Sequence, residues 1–474
     1  MIGKKKRIGI TASAVTVVVL LSILTGTFYL PGSNRISPHA DQAFNVFHKN
    51  DKIHLPYIDL GPATPKGKDY TVQFSCQNSN APVRCYSPYQ IHHAYNMQPL
   101  LDNNINGQRS TIVIIDAFQS PTILPDLHLF DKLFHLSNPN LTIIAPDGLT
   151  PFDPNNPNQV GWAGEITLDV EWAHAIAPAA DIVLVLARSD ADAALLSATK
   201  FAVDNNLGDV ISQSFGEGEA CADPKFLAAE HRVFQAATGE GITLFAASGD
   251  QGAAQPTCNG SSYFLSASTP ASDPLVTAVG GTYLNADVRK GTYIGEATWN
   301  DQYGVSGGGF STIYHRPSYQ KGIAAINPAV RGVPDVTYNG DVNGGVLTVW
   351  SSYGPKATPN VFIFGGTSAG SPQWAGIIAL ADQVKGGRLG FINGALYALG
   401  QSNNASSYFH DITVGTNTFT STDANGNPVV VHGYDTSISW DAVTGWGTPD
   451  VANLILDPIA NVNSAARSHP ASGL

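Results

Sequence analysis

The segment GGTSAGSPQWAG, residues 365–376, carries a serine on a glycine turn and then opens a helix. Gly365, Gly366, Ala369 and Gly370 let other backbone approach Ser368 closely. A helix start adds N–H groups and the positive dipole end, both suited to a developing oxyanion. Taken alone, the segment reads first as a helix start with Thr367 or Ser368 as N-cap. A nucleophilic serine needs a base, and histidine is the common one. His92 and His93 precede the first strand-like run, and His174 lies in the helical stretch GEITLDVEWAHAIAP with Glu165 and Asp169. At about 100° per residue, Asp169 falls about 40° from Glu165, whereas His174 falls near 180°. Glu165 and Asp169 therefore share one face and His174 takes the other. Two carboxylates buried together share a proton, and one pKa rises. A carboxylate also accepts a proton below about pH 6, where imidazole is mostly charged. The pair thus predicts a serine hydrolase that works in acid. The competing reading is a solvated acidic face, but Trp162, Ile166, Leu168, Val170 and Trp172 around it favour burial. Asp250 in SGDQG fits an ordinary turn.

These groups must be positioned by a scaffold. The runs TIVIID (111–116), LTIIAP (141–146), DIVLVLA (181–187), DVISQSF (209–215) and ITLFAAS (242–248) are rich in β-branched residues. Helical stretches at 163–177, 190–206, 223–239 and 368–384 lie among and after them. Unbroken apolar strands alternating with helices predict an α/β fold with a parallel sheet covered on both faces. TIVIID ends on Asp116, so Asp116, His174 and Ser368 form a rival, histidine-based triad with a neutral-to-alkaline optimum. A glycosidase using Glu165 and Asp169 as paired acids is a second rival, and it leaves Ser368 without a role.

The 474 residues carry 37 acidic against 25 basic groups, a net charge of -12 that argues against nucleic acid as a partner. Lys4, Lys5, Lys6 and Arg7 precede an apolar run at 8–30, the pattern of an export signal. At about 23 residues the run is long enough to span a bilayer. It reads as an uncleaved anchor with its basic end inside, or as a long cleaved signal. Both place the rest outside the cell. Four cysteines allow three pairings, of which the local one, Cys76–Cys85 with Cys221–Cys258, is expected. No CxxC occurs, which speaks against a cysteine metal site. The expected division is a signal segment at 1–30, a polar linker at 31–84, a catalytic domain at 85–457 and a disordered tail at 458–474.

Several separated motifs then converge. CYSPYQIHHAYNM, GEITLD, AASGDQG, PASDPLVTAVGGT, GGGFSTIYHRPSYQ, RGVPDV and GGTSAGSP stand in the order found in the sedolisins, or serine-carboxyl peptidases, and the chain resembles that family from about residue 86 to 449. The resemblance implies a subtilisin-like fold, a mostly parallel β-sheet flanked by helices with a C-terminal calcium-binding loop region. It implies Ser368 as nucleophile, Glu165 as general base, Asp169 as its partner and Asp250 as the oxyanion-hole residue. HDITVG and SISWDAVTGWGTPD imply one structural Ca²⁺. Its ligands would be the carboxylates of Asp411 and Asp441 and the carbonyls of Ile412, Ser437 and Ser439. Ser437 and Ser439 stand where the family usually has glycine, and Gly370 stands where it usually has serine. Residues 31–84 are too few for the family's usual folded propeptide. The function implied is an acid-active endopeptidase acting through an acyl-enzyme, as a monomer, on protein or peptide substrates. A tripeptidyl-peptidase of the family and an inactive, surface-anchored binding protein are the alternatives.

Overall fold

The computed structural model describes residues 55–64, 74–326, 329–356 and 358–456. The N-terminal signal segment, most of the expected linker and the C-terminal tail lie outside them. Among the described residues no helix is long and apolar enough to cross a membrane.

The apolar runs form the central sheet. Its strands are β1 (Thr111–Ala117), β2 (Leu141–Ile144), β3 (Asp181–Ala187), β4 (Val210–Gln213), β5 (Thr243–Ala247), β6 (Thr277–Ala286), β7 (Tyr293–Thr298) and β8 (Val336–Asn339). The order is β7–β6–β5–β4–β1–β3–β2, with β8 also on β6. Every pairing is parallel except β6 with β7. Ile112, Ile114, Val113 and Ile115 on β1 are all fully buried. A strand buried on both faces needs apolar side chains at every position, which is why the run does not alternate.

The sheet is covered by α2 (Pro157–Ile176), α3 (Asp192–Asp204), α4 (Pro224–Gly239) and α5 (Thr367–Lys385), and α1 (Ile123–Phe134) packs outside α2. Helix α2 begins six residues earlier than its apolar pattern predicts. Asn156 caps it by accepting from the Asn158 and Gln159 amides, and Pro157 takes the first position, where its missing N–H costs nothing.

A second sheet of four strands, ordered Tyr57–Pro62, Asn360–Phe364, Gly345–Trp350 and Cys85–Tyr86, lies beyond α2. Trp172 Nε1 donates to the Leu347 carbonyl at 3.0 Å, and Glu171 Oε2 accepts from the Val349 amide at 2.9 Å. Helix α2 is thus held between α5 and this sheet, so it is buried nearly all round and shows no apolar stripe. The strand at 57–62 corrects the expectation that residues 31–84 are all linker. It pairs antiparallel with 360–364, and its Tyr57 ring packs on Trp350 and Phe362. A strand this short carries too little periodicity to be read alone. The disulfides are Cys76–Cys85 and Cys221–Cys258, the pairing expected from proximity.

Candidate active site

The chemistry collects at the carboxyl ends of the parallel strands, where ligands bind in open α/β sheets. Asp116 ends β1, Ser214 follows β4 and Asp250 follows β5. Helix α2 supplies Glu165 and Asp169, and α5 supplies Ser368 in its first turn. Gly366 precedes that helix at φ +93, and a Cβ there would lie 2.7 Å from Asp250 Oδ2. Only glycine serves both the turn and the close approach.

The structure brings Ser368, Glu165, Asp169 and Asp250 together. Ser368 is 4% exposed, and Glu165 and Asp169 are fully buried. Ser214 Oγ donates to Asp169 Oδ1 at 3.0 Å and lies 3.4 Å from the Ser368 carbonyl. Ser368 Oγ donates to the Ser214 carbonyl at 3.5 Å. The same hydroxyl lies near the Glu165 carboxyl and pulls its pKa down somewhat, although neither Glu165 oxygen has a hydrogen bond of ordinary geometry. The glutamate is placed beside the nucleophile and not yet locked onto it, as apo sites often are.

Burial is the main force on these groups. It lifts Glu165 well above the usual carboxylate range, and Asp116 and Asp250 add like-charge repulsion. Asp169 is raised by burial first, then by Asp116 and Glu165, with the Ser214 hydroxyl pulling the other way. Asp116 is pushed up to about 8 by burial. Three carboxyls packed so closely hold protons in common and titrate as a unit.

Asp250 Oδ1 accepts from the Thr367 amide at 2.8 Å and from the Thr367 hydroxyl at 2.7 Å. The Thr367 hydroxyl in turn accepts from the Gly249 amide at 3.1 Å. This exchange fixes the carboxyl of Asp250 against the turn that presents Ser368.

Three residues of the site were not assigned to it by sequence reasoning. Ser214 and Thr367 carried no signal beyond their places after a strand and before the serine. Asp116 was visible as a strand-ending carboxylate but was tied to the histidine rival. That rival does not assemble. His174 is buried on the far side of α2, its Nε2 3.2 Å from Asp131. Among the described residues the other buried histidines are engaged elsewhere, His92 with the Ala175 carbonyl and His231 with Asp273. Gly370, which stands in place of a serine, has no room for a side chain: a Cβ would lie 2.8 Å from Val279 Cγ1.

The C-terminal loops bring Asp411 and Asp441 to the segment 437–439. Asp411 Oδ2 accepts from the Ser439 amide at 2.8 Å, and Asp441 Oδ2 accepts from the Ser437 amide at 2.9 Å. Both carboxylates therefore close on the same short loop. Asp441 Oδ1 is held by the amides of Val443 and Thr444 at 2.9 and 2.8 Å. Ser439 adopts φ +67, so the serine takes the shape for which glycine is the easier residue. Among the described residues no three acidic, histidine or cysteine side chains are arranged to hold a metal ion by themselves. An all-oxygen set of two carboxylates, carbonyls and water fits a hard cation such as calcium.

Residues 159–390 match the Subtilase family. Kumamolisin of Bacillus sp. (strain MN-32) is 32% identical over 408 residues, covering 84% of this chain and 67% of that protein. Tripeptidyl-peptidase 1 of Homo sapiens is 30% identical over 274 residues, covering 53% of this chain and 43% of that one. The chain thus spans two thirds of the first relative and under half of the second. The solved structure of Pseudomonas sedolisin, a serine-carboxyl proteinase complexed with pseudo-iodotyrostatin, superposes with a TM-score of 0.66 at 29% identity, over 78% of this chain and 97% of that one. With its parallel sheet, flanking helices and serine beside buried carboxyls, the chain belongs to the sedolisin family of serine-type peptidases, which share the subtilisin-like fold.

Proposed function

We propose that the protein is an acid-active endopeptidase in which Glu165 takes the proton of Ser368 as Oγ attacks a peptide carbonyl. The observation that carries this reading is the pairing of Ser368 with the buried carboxyls of Glu165 and Asp169, while the buried histidines among the described residues are engaged elsewhere. Glu165 accepts the proton, and Asp169, held by Ser214, keeps Glu165 oriented and shares the charge. The tetrahedral oxyanion takes a hydrogen bond from protonated Asp250. The Thr367 amide is already given to Asp250, so the backbone donor falls to the amide of Ser368. Glu165 then returns the proton to the leaving amine, and water repeats the sequence on the acyl-enzyme. Asp116 is a positioning group that raises the proton affinity of the pair.

One Ca²⁺ held by Asp411, Asp441 and the carbonyls of Ile412, Ser437 and Ser439 would fix the C-terminal loops as a structural ion. The basic-then-apolar N-terminus and the two disulfides support a place outside the cell, anchored or released. A peptide pool assayed from pH 3 to 7, with products mapped by mass spectrometry, tests the reading. Cleavage centred below pH 6 that is lost in both Ser368→Ala and Glu165→Gln is expected. Activity surviving Ser368→Ala, or an alkaline optimum, overturns it.

A further inference from the structure

The loop after β7, residues 299–305, and the turn after β8, residues 340–343, each hold one part of the site from behind. The Val305 amide donates to the Asp250 carbonyl at 2.9 Å, and the Gly366 amide donates to the Gly340 carbonyl at 2.7 Å. The first contact fixes the backbone of Asp250, and the second fixes the turn that presents Ser368. The packing there has no slack. A Cβ on Gly304 would lie 3.0 Å from the Asp250 carbonyl oxygen, and one on Gly365 would lie 2.6 Å from that of Gly340.

Two carboxyls join these segments. Asp301 Oδ1 accepts from the Tyr303 amide at 2.8 Å, the Trp299 indole at 3.1 Å and the Gly304 amide at 3.2 Å. Asp341 is 6% exposed, and its Oδ1 accepts from the Asn343 amide at 2.7 Å. With Oδ1 of each engaged, Oδ2 of each is left for the other, and the two side chains hydrogen-bond. Two carboxyls can do so only with one proton between them. The bond lowers the proton affinity of Asp301 and raises that of Asp341, so Asp341 carries the proton. Burial first, then the Asp301 charge, holds Asp341 well above the usual carboxylate range. Tyr303, the titratable neighbour on the same loop, is held above its usual value by burial and by both carboxyls. Arg84, whose amide reaches Asn343, turns its guanidinium to Asn285.

We propose that Asp301 and Asp341 are positioning residues of the peptidase site, their shared proton tying the loop that holds Asp250 to the turn that holds Gly366. The proposal rests on the peptidase reading and adds two residues to it. A single Asp→Asn change at either position supplies an N–H where the proton was. Asp301→Asn and Asp341→Asn should therefore each keep kcat at pH 4 within about 3-fold of wild type. The double variant sets two amide donors face to face, and neither can flip without turning N–H groups onto the backbone amides that hold Oδ1. Its kcat should fall by about 10-fold or more while KM stays within about 2-fold. A double variant as fast as wild type, or single variants as slow as the double, overturns the proposal. The second measurement needs no turnover and uses the Ser368→Ala protein with and without Asp341→Asn. The raised folded-state value makes the contribution of Asp341 complete in acid and lost as pH rises. The Tm of the Asp341→Asn protein relative to its parent should therefore rise by about 2 °C or more between pH 4 and pH 8. A gap that does not move overturns the shared proton. A moving gap in a protein whose wild type cuts no peptide sinks the peptidase reading and leaves the shared proton standing.

Discussion

Asp250 holds the first residue of the nucleophile helix twice, its Oδ1 accepting both the amide and the hydroxyl of Thr367. The residue that would face the oxyanion is thereby also the clamp on the turn that presents Ser368. Removing the side chain with Asp250→Ala should lower kcat by about 10²–10³, the usual cost of an oxyanion donor. Asp250→Asn keeps an acceptor for Thr367 and a donor for the oxyanion, and should lose much less. Equal losses in both variants across the pH range would remove the oxyanion role.

Asp116 raises the pKa of both Glu165 and Asp169 through like-charge repulsion. With its own pKa pushed up to about 8, Asp116 is charged only towards neutral and alkaline pH, so Asp116→Asn removes the repulsion there. The kcat/KM profile should keep its acid limb and change on its alkaline side. An alkaline side identical to the wild type in Asp116→Asn would uncouple Asp116 from the site.

The fold should be most stable in acid. Burial pushes Asp116, Glu230 and Asp382 up to about 8, from ordinary values near 4. Their folded-state pKa values are raised, so the folded chain binds more protons than the unfolded one. Their contribution is complete below about pH 4 and is lost as pH rises towards 8. Calorimetric Tm should therefore fall by several degrees between pH 5 and pH 8. A Tm that rises over that window contradicts the assignment.

Chelation should loosen the C-terminal loops. Added EGTA is expected to lower Tm, and excess Ca²⁺ to restore it, with Mg²⁺ restoring less because it demands tighter octahedral geometry. Asp441→Asn should show a low Tm from the start and little response to either reagent. A Tm indifferent to chelator in the wild type removes the ion.

The parallel core was legible because strands buried on both faces must be apolar throughout, and β3 keeps the bounds of its sequence run. The carboxylate pair was legible because helical spacing is rigid, so a turn of separation already places Glu165 and Asp169 together. The partners of the pair were not. Ser214 reaches Asp169 across 45 residues of chain and Asp250 reaches Thr367 across 117, and no local pattern encodes such a meeting. The second sheet was hidden for the same reason. Its strands come from two distant stretches, 57–86 and 345–364, and one of them stood in what read as a tether.

The strand at 57–62 runs into the site itself. The Pro56 carbonyl accepts from the Gly365 amide at 3.0 Å, and a Cβ on Gly164 would strike Leu55. The chain therefore enters the fold between the residue before Glu165 and the turn before Ser368. N-terminal trimming has a lower limit set by catalysis: a shortened form must keep residues 55–62 to keep its nucleophile braced.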